Sequence, residues 1–153
     1  MLFLLFELGT DRYALDARQI AEVLPLVAIT QFPQMPPAVS GVFNYRGAPV
    51  PVIDVSQLTL GRPAERRLST RIVLVHYPDG ADGTRLLGLI AERATQTERR
   101  ERADFVPSGV TSVGAPYLGP VAADARGLLQ WIDVQTLLPP AVRDALFNQP
   151  KAD

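Results

Sequence analysis

The chain carries one sequence unit twice, and this repetition constrains the fold more than any other feature. Residues 41–58 and 119–137 each contain a glycine, an Arg-Gly pair, a hydrophobic run and the string Ile-Asp-Val-x-x-Leu. The copies lie about 80 residues apart, which is too long a period for the stacked units of a solenoid. We therefore expect two similar β lobes in one chain, each closing on itself so that no long strand edge stays exposed.

Short apolar or alternating runs separated by turn residues fill most of the remaining sequence, and they predict an all-β protein with short helices. Strands are predicted over residues 3–8, 12–15, 27–32, 39–45, 48–53, 71–77, 85–91, 94–102, 117–123 and 127–132. Helices are predicted over residues 16–24, from 54 to about 61, over 134–138 and over 140–147, with a frayed tail at 148–153. In the first of these, apolar residues recur at helical spacing after Asp16, a residue type that caps helix starts.

Composition excludes several classes of protein. The net charge is −1, with 15 basic and 16 acidic residues, whereas a nucleic-acid partner requires a basic surplus. The chain has no cysteine, so it has neither disulfides nor thiolate metal sites. The apolar start, Met1 to Phe6, lacks a basic leader and ends at Glu7, which favours a buried first strand over a signal peptide. No run reaches the ~18 apolar residues of a membrane span, so we expect a soluble protein with no direct membrane insertion.

Two aspartates are the strongest catalytic candidates. Asp54 and Asp133 could act as a general acid and base. Each also follows an isoleucine and stands four residues before a leucine, which is the pattern of a helix N-cap. We prefer the cap interpretation, and a hydrolase that uses both carboxylates remains the enzymatic alternative.

Other catalytic ingredients are scarce. His76 is the only histidine, and the sequence contains neither a nucleophile motif nor a phosphate-binding fingerprint. We therefore expect no catalytic residue, no metal, no cofactor and no enzymatic activity. Arg46 differs from these residues, because it stands in a turn between two apolar strands. Hydrophobic burial does not explain an arginine at that position.

The first copy of the repeat resembles a known family signature. Gly41-Val-Phe-Asn-Tyr-Arg-Gly47 and Val50-Pro-Val-Ile-Asp54 are similar to the CheW-family pattern G-V-x-N-L-R-G-x-x-x-P-V-I-D-L. The resemblance runs from about residue 2 to residue 138. It implies two SH3-like five-stranded β-barrel lobes in one domain over 1–147. The first lobe is expected mainly over 14–68 and the second mainly over 70–138.

The same resemblance implies a function. CheW-like proteins are adaptors that hold a CheA-like histidine kinase beside the cytoplasmic tips of chemoreceptors, in cytoplasmic arrays at the membrane. The family's receptor contacts carry over to Ile20, Glu22, Arg46 and Gly47, with the first two expected on the short helix. The alternative is a CheW-like module that binds or sequesters the kinase without coupling receptors.

The chain departs from the family pattern at two places. Tyr45 stands where the signature has leucine, which implies an altered choice of receptor. Ala91-Glu-Arg-Ala94 replaces the V-D-x-V stretch of the second lobe. Both departures favour an accessory array, of a surface-sensing (Wsp-type) or twitching-type system.

Overall fold

A computed structural model describes residues 1–78, 83–110 and 118–147 of the chain. The strands in these residues are β1 (Leu2–Leu8), β2 (Asp11–Asp16), β3 (Ile20–Pro25), β4 (Val39–Tyr45), β5 (Ala48–Asp54), β6 (Arg71–Pro78), β7 (Thr84–Arg99), β8 (Leu118–Asp124) and β9 (Gly127–Ile132). The α-helices are α1 (Val55–Leu60) and α2 (Pro140–Phe147), and 3₁₀ turns lie at Ala17–Gln19, Arg102–Asp104 and Val134–Thr136. In the described part of the chain, no helix has the length and apolar character needed to cross a membrane.

The strands form two five-stranded lobes that share β7. In the first lobe the strand order is β3-β6-β7-β5-β4, and in the second it is β7-β1-β2-β9-β8. The first half of β7 pairs with β6 and β5, and its second half pairs with β1. The all-β class with two SH3-like lobes is therefore confirmed. By strand pairing, β6 lies in the same lobe as β3, β4 and β5.

The lobes are open rather than fully closed barrels. In the first lobe, β3 and β4 are the two edge strands. The loop after β3 covers the free edge of β4 through one bridge, in which Thr30 and Val42 exchange backbone hydrogen bonds of 2.8 and 2.9 Å. In the second lobe, Val106 makes the equivalent bridge to Val121 of β8. Loop segments thus satisfy edges that the sequence predicts to be closed by strands.

The first strand is buried on both faces. Leu4, Phe6 and Leu8 point into a core shared by the two lobes, whereas Phe3 and Leu5 point into the core of the second lobe. A strand buried on both faces shows a continuous apolar run rather than an alternating one. This double burial accounts for the apolar start of the sequence.

Strand β6, on the other side of the shared core, is also buried on both faces. Val73 and Val75 face the shared core, and Ile72 and Leu74 face the core of the first lobe. The two lobes are therefore joined by a continuous apolar layer rather than by a linker.

The helix predicted over residues 16–24 is wrong. Asp16 does cap a turn, because its carboxylate accepts the Arg18 backbone N–H at 2.9 Å, but the turn is a single 3₁₀ turn. The chain then enters β3, where Ile20 pairs with Val75 of β6. The apolar residues of this stretch recur at helical spacing, but hydrogen bonding of its backbone to β6 makes it a strand.

Two further strand predictions change in the structure. Residues 27–32 form a loop in which only Thr30 makes a bridge. The two strands predicted over 85–91 and 94–102 are one strand, β7, which passes from lobe to lobe with Arg93 at a φ of 52°. The predicted strand start at Tyr117 and the predicted tail at 148–153 lie outside the described residues.

Glycine is required where the loop after β3 meets β4. A Cβ on Gly41 would lie 2.0 Å from the Thr30 carbonyl oxygen, and Gly41 has a φ of 137°. Only glycine permits this approach and this backbone angle together. The first residue of the repeat unit thus fixes the loop against the open edge of the first lobe.

Candidate partner-binding site

The four residues assigned to receptor contact by resemblance lie on two neighbouring elements of the first lobe. Ile20 and Glu22 belong to β3, and Arg46 and Gly47 form the turn between β4 and β5. Because β3 and β4 are the edge strands of this lobe, these residues flank the gap between them. The structure brings Glu22 and Arg46 together, with 3.4 Å between Oε2 and Nη2.

Ile20 and Glu22 come from a strand, which corrects the helix expected for them. A β-bulge between Ile20 and Glu22 shifts their pairing, so that Ile20 lies opposite Val75 and Glu22 lies opposite Leu74 of β6. Ile20 and Glu22 are both half-buried, whereas Ala21 and Val23 between and beyond them are exposed. Ile20 packs against the shared core. Because Val75 faces the shared core and Leu74 faces the core of the first lobe, the Ile20 and Glu22 side chains lie on opposite faces of β3.

The turn that carries Arg46 has an unusual backbone. Tyr45 and Ala48 form the last pair of the hairpin, so the loop consists of Arg46 and Gly47, with φ angles of 52° and 87°. Two positive φ angles define a type I′ turn, which favours asparagine or glycine at its first position. An arginine there is strained by roughly 1 kcal/mol or more. Asn44 supports the turn, since its Oδ1 accepts the Gly47 N–H at 2.8 Å.

Tyr45 completes the polar cluster, although the sequence does not assign it to the contact set. Its hydroxyl donates a hydrogen bond of 2.5 Å to Glu22 Oε2. The Arg46 guanidinium carbon lies 5.0 Å from the centre of the Tyr45 ring, within the range of a cation–π contact. Tyr45, Glu22 and Arg46 together are called the edge cluster below. The departure from leucine at this position is the only sequence feature that could have pointed to Tyr45.

The electrostatics of the edge cluster follow from its hydrogen bonds. The hydrogen bond to the Glu22 carboxylate, together with partial burial, raises the pKa of Tyr45 above its ordinary value. The side chains of Arg46 and Glu22 are 76% and 36% exposed. An ion pair this exposed contributes less than about 1 kcal/mol to stability. The cluster is therefore suited to recognition more than to holding the fold together.

An open groove adjoins the turn. Its volume is about 340 Å³, and it is lined by Thr30, Phe32, Val42, Phe43, Asn44, Gly47, Ala48 and Pro49. Phe32 is 48% exposed in this groove, although it is a large apolar side chain. Gly47 thus belongs both to the turn of the edge cluster and to an apolar groove beside it.

Asp54 and Asp133 stand at the starts of two separate helical segments. The Asp54 carboxylate accepts the backbone N–H groups of Gln57 at 3.2 Å and of Ala64 at 2.9 Å. The Asp133 carboxylate accepts the Gln135 N–H at 2.9 Å. Both acids are N-caps in this arrangement, and their carboxylates are committed to main-chain amides. The geometry therefore gives no support to the acid–base pair of the hydrolase alternative.

The other chemically notable side chains have structural surroundings. His76 lies on β6 with its side chain exposed. Trp131 packs edge-on against Phe3 and Phe105, with ring centres 4.9 and 5.0 Å apart. The single tryptophan is therefore part of the aromatic core of the second lobe.

Two five-stranded lobes around a shared core, with an exposed polar cluster across two strand edges, define a binding module of the scaffold class. Residues 2–141 match the CheW-like domain family. The chain therefore belongs to the CheW-like family.

Individual relatives agree with this assignment. The chain is 23% identical over 138 residues to the chemotaxis protein CheW of Klebsiella aerogenes, covering 89% of this chain and 80% of that protein. It is 31% identical over 106 residues to the chemotaxis protein CheW of Helicobacter pylori, covering 69% of this chain and 61% of that protein. It is also 27% identical over 126 residues to protein FrzA of Myxococcus xanthus, covering 81% and 76%.

A solved structure shows the same fold. The scaffolding protein TtCheW from Thermoanaerobacter tengcongensis superposes with a TM-score of 0.79 at 22% identity, over 92% of this chain and 89% of that one. The similarity establishes the arrangement of the two lobes.

Proposed function

We propose that the chain is a non-catalytic adaptor that couples chemoreceptor cytoplasmic tips to a CheA-like histidine kinase in a bacterial chemosensory array. Family membership supports the chemosensory role, since curated relatives are chemotaxis proteins. The observation that carries the receptor half is the meeting of Glu22 and Arg46 across the two edge strands of the first lobe.

The receptor contact is proposed at Ile20, Glu22, Arg46 and Gly47. Recognition of a helix by a protein groove combines apolar burial with a few polar contacts that fix register. The groove beside Gly47 supplies apolar surface next to the edge cluster, and Glu22 and Arg46 supply one charge of each sign. The half-buried Ile20 adds apolar surface on the other face of β3. The φ of 52° at Arg46 fits a functional position, because strain of this kind is concentrated at binding sites.

The kinase is proposed to bind strand edges of the lobes that the receptor leaves free. In this proposal the protein acts in the cytoplasm, at membrane-associated receptor arrays, and uses no metal, cofactor or nucleic acid. The two departures from the family pattern, at Tyr45 and at Ala91-Glu-Arg-Ala94, favour an accessory array of a surface-sensing or twitching-type system.

A reconstituted array tests this function with matched variants. Arg46→Glu reverses the charge at the proposed contact, and Arg126→Glu makes the same change at the exposed turn of the β8–β9 hairpin, the second copy of the repeat. We expect Arg46→Glu to weaken receptor binding about tenfold, or ~1.4 kcal/mol, and to reduce receptor-dependent kinase activity. Arg126→Glu should leave both unchanged.

Ile20→Asp tests the apolar part of the contact, with Leu128→Asp as the control at an exposed leucine of β9. Circular dichroism and thermal unfolding confirm that each variant is folded before binding is compared. Retention of the kinase with no effect of Arg46→Glu or Ile20→Asp would favour the kinase-sequestering alternative. Failure to retain either partner at micromolar concentration would contradict the adaptor function.

A further inference from the structure

Tyr45 supplies a hydrogen-bond donor to the Glu22 carboxylate, so this carboxylate has less need of a donor from a partner. Glu22 Oε2 receives two donors from the protein itself, the Tyr45 hydroxyl at 2.5 Å and Arg46 Nη2 at 3.4 Å. A leucine at position 45, as in the family signature, would remove the shorter of these two bonds. Glu22 would then keep only the longer contact, which lies near the limit of a hydrogen bond.

We propose that Tyr45 is a specificity determinant, which makes the edge cluster select a receptor helix with a neutral residue opposite Glu22 and an acidic residue opposite Arg46. This inference rests on the proposed receptor-binding function and names the partner chemistry of that same site.

The selectivity follows from the cost of burying charge. A docking helix would cover Glu22, which is 36% exposed in the free protein, and a covered carboxylate without a partner is costly. When Tyr45 donates to this carboxylate, the incoming helix does not need to bring a lysine or arginine. A basic residue there would also stand close to Arg46 and be repelled by it.

Arg46 has the opposite requirement. In the described part of the chain, its side chain donates only to Glu22, at 3.4 Å, and it is 76% exposed. A guanidinium carries five N–H donors, so most of them are available to a partner. A carboxylate on the docking helix is the group that matches this planar donor set most closely.

The Tyr45 hydroxyl also holds the two edges of the first lobe in place. Tyr45 ends β4 and Glu22 lies in β3, and these strands are not paired with each other. The hydroxyl bond therefore fixes the distance between the acid and the arginine on opposite sides of the gap. A receptor helix meets two charges whose spacing is already set.

The test begins by locating the receptor position opposite Glu22. The chain has no cysteine, so Ala21→Cys, at the exposed neighbour of Glu22, introduces a single thiol. Disulfide crosslinking to a chemoreceptor tip fragment with single cysteines along its hairpin identifies the facing position. Three tip fragments are then made with glutamine, lysine or glutamate at that position.

Binding of these fragments is compared between the wild type and Tyr45→Phe, which removes only the hydroxyl and keeps the ring beside Arg46. For the wild type we expect the glutamine fragment to bind more tightly than the lysine fragment, which Arg46 repels, and more tightly than the glutamate fragment, which Glu22 repels. In Tyr45→Phe the lysine fragment should gain about three- to fivefold over the glutamine fragment, the size of an exposed ion pair. Glu22→Gln in addition to Tyr45→Phe should abolish this gain.

The two possible failures are distinguishable. If the wild type binds none of the fragments, the proposed receptor function is contradicted. If binding occurs but the ratio of lysine to glutamine affinities is the same in the wild type and in Tyr45→Phe, Tyr45 does not determine specificity and the inference is overturned.

A second measurement needs no receptor. NMR titration of ring-labelled tyrosine, assigned with Tyr45→Phe, should show a raised pKa for Tyr45 in the wild type, caused by its bond to Glu22. The pKa should fall towards its ordinary value in Glu22→Ala, which removes the acceptor of this bond. An identical Tyr45 pKa in both proteins would show that the hydroxyl bond is not formed, and this would also overturn the inference.

Discussion

The two hairpins of the sequence repeat carry the same Arg-Gly pair but place it differently. In the β4–β5 hairpin, Arg46 and Gly47 are the two loop residues, because the last pair is Tyr45 with Ala48. In the β8–β9 hairpin the last pair is Asp124 with Gly127, so the Arg-Gly pair is shifted by one residue relative to the turn. A shift of one position changes which side chains face solvent and which face the protein.

The shift gives the two turns different electrostatic roles. At the first turn, Arg46 meets Glu22 in an exposed contact. At the second, Asp124 is held from inside the lobe, with Arg12 Nη2 at 2.6 Å from one carboxylate oxygen and Arg100 Nη2 at 2.7 Å from the other. Arg12 is only 7% exposed. The repeated sequence therefore forms a hairpin in both lobes, but the ion pair at the turn is exposed in the first lobe and mostly buried in the second.

The largest expected effect is at the second hairpin. Asp124→Ala leaves the buried guanidinium of Arg12 without its carboxylate, and removing one partner of a buried ion pair costs about 3–5 kcal/mol. In the described residues, Arg12 Nε and Nη1 have no hydrogen-bond partner, and without Asp124 the Nη2 group keeps only its 3.4 Å contact to the Gly127 carbonyl oxygen. Urea unfolding should show a clearly lower midpoint for Asp124→Ala than for Asp124→Asn, which keeps an acceptor. A change below about 1 kcal/mol would mean that the two turns are energetically alike.

The second prediction concerns pH. Burial alone would raise the pKa of Asp124, but hydrogen bonds from Arg12, the Arg126 N–H and Arg100 outweigh it and lower the pKa from 3.8 to about 2. A carboxyl whose pKa is lower in the folded state contributes stability that is complete above the unfolded value. This contribution is lost as the pH falls from about 4 to about 2.

Unfolding midpoints of the wild type and Asp124→Asn, measured from neutral pH to about pH 2, test this dependence. The advantage of the wild type over Asp124→Asn should narrow across the acidic window, because protonation removes the charge that the variant already lacks. An advantage that stays constant from neutral to acid pH would contradict the ionic role of Asp124.

The smallest effect is expected at the first hairpin. Glu22→Ala removes an exposed ion pair and one tyrosine hydrogen bond, so the free energy of unfolding should fall by less than about 1 kcal/mol. Chemical denaturation of Glu22→Ala beside Asp124→Ala measures the contrast between the two turns directly. A loss at Glu22 as large as that at Asp124 would show that the edge cluster is structural rather than exposed for recognition.

Local sequence patterns were sufficient for much of the fold. Each hairpin is flanked by apolar runs and marked by its Arg-Gly pair, and the strand pairings follow from these. Asp54 and Asp133 stand between an apolar residue and a leucine four positions later, and both accept backbone N–H groups at helix starts. These features depend on residues within a few positions of one another, so they can be predicted from a single sequence.

Features that depend on contacts between distant residues could not be predicted from local sequence patterns. The apolar residues from Ile20 to Leu24 follow a helical period, and only pairing with β6, some fifty residues later in the chain, makes this stretch a strand. The continuity of β7 depends on Arg93 adopting a positive φ, for which arginine has no preference. Tyr45 joins the edge cluster only because β3 lies near the end of β4.

The double burial of β1 has a consequence for how the protein folds during synthesis. All strands of the first lobe lie between Ile20 and the first half of β7, so this lobe can assemble while the rest of the chain is being made. Leu2 instead pairs with Arg99, and Arg12 pairs with Leu129. Such distant contacts form slowly and late. The apolar strand β1 can pair early with β2, which follows it directly, but it leaves the ribosome long before its other partner, the second half of β7, and it is the segment that a nascent-chain chaperone would shield from aggregation.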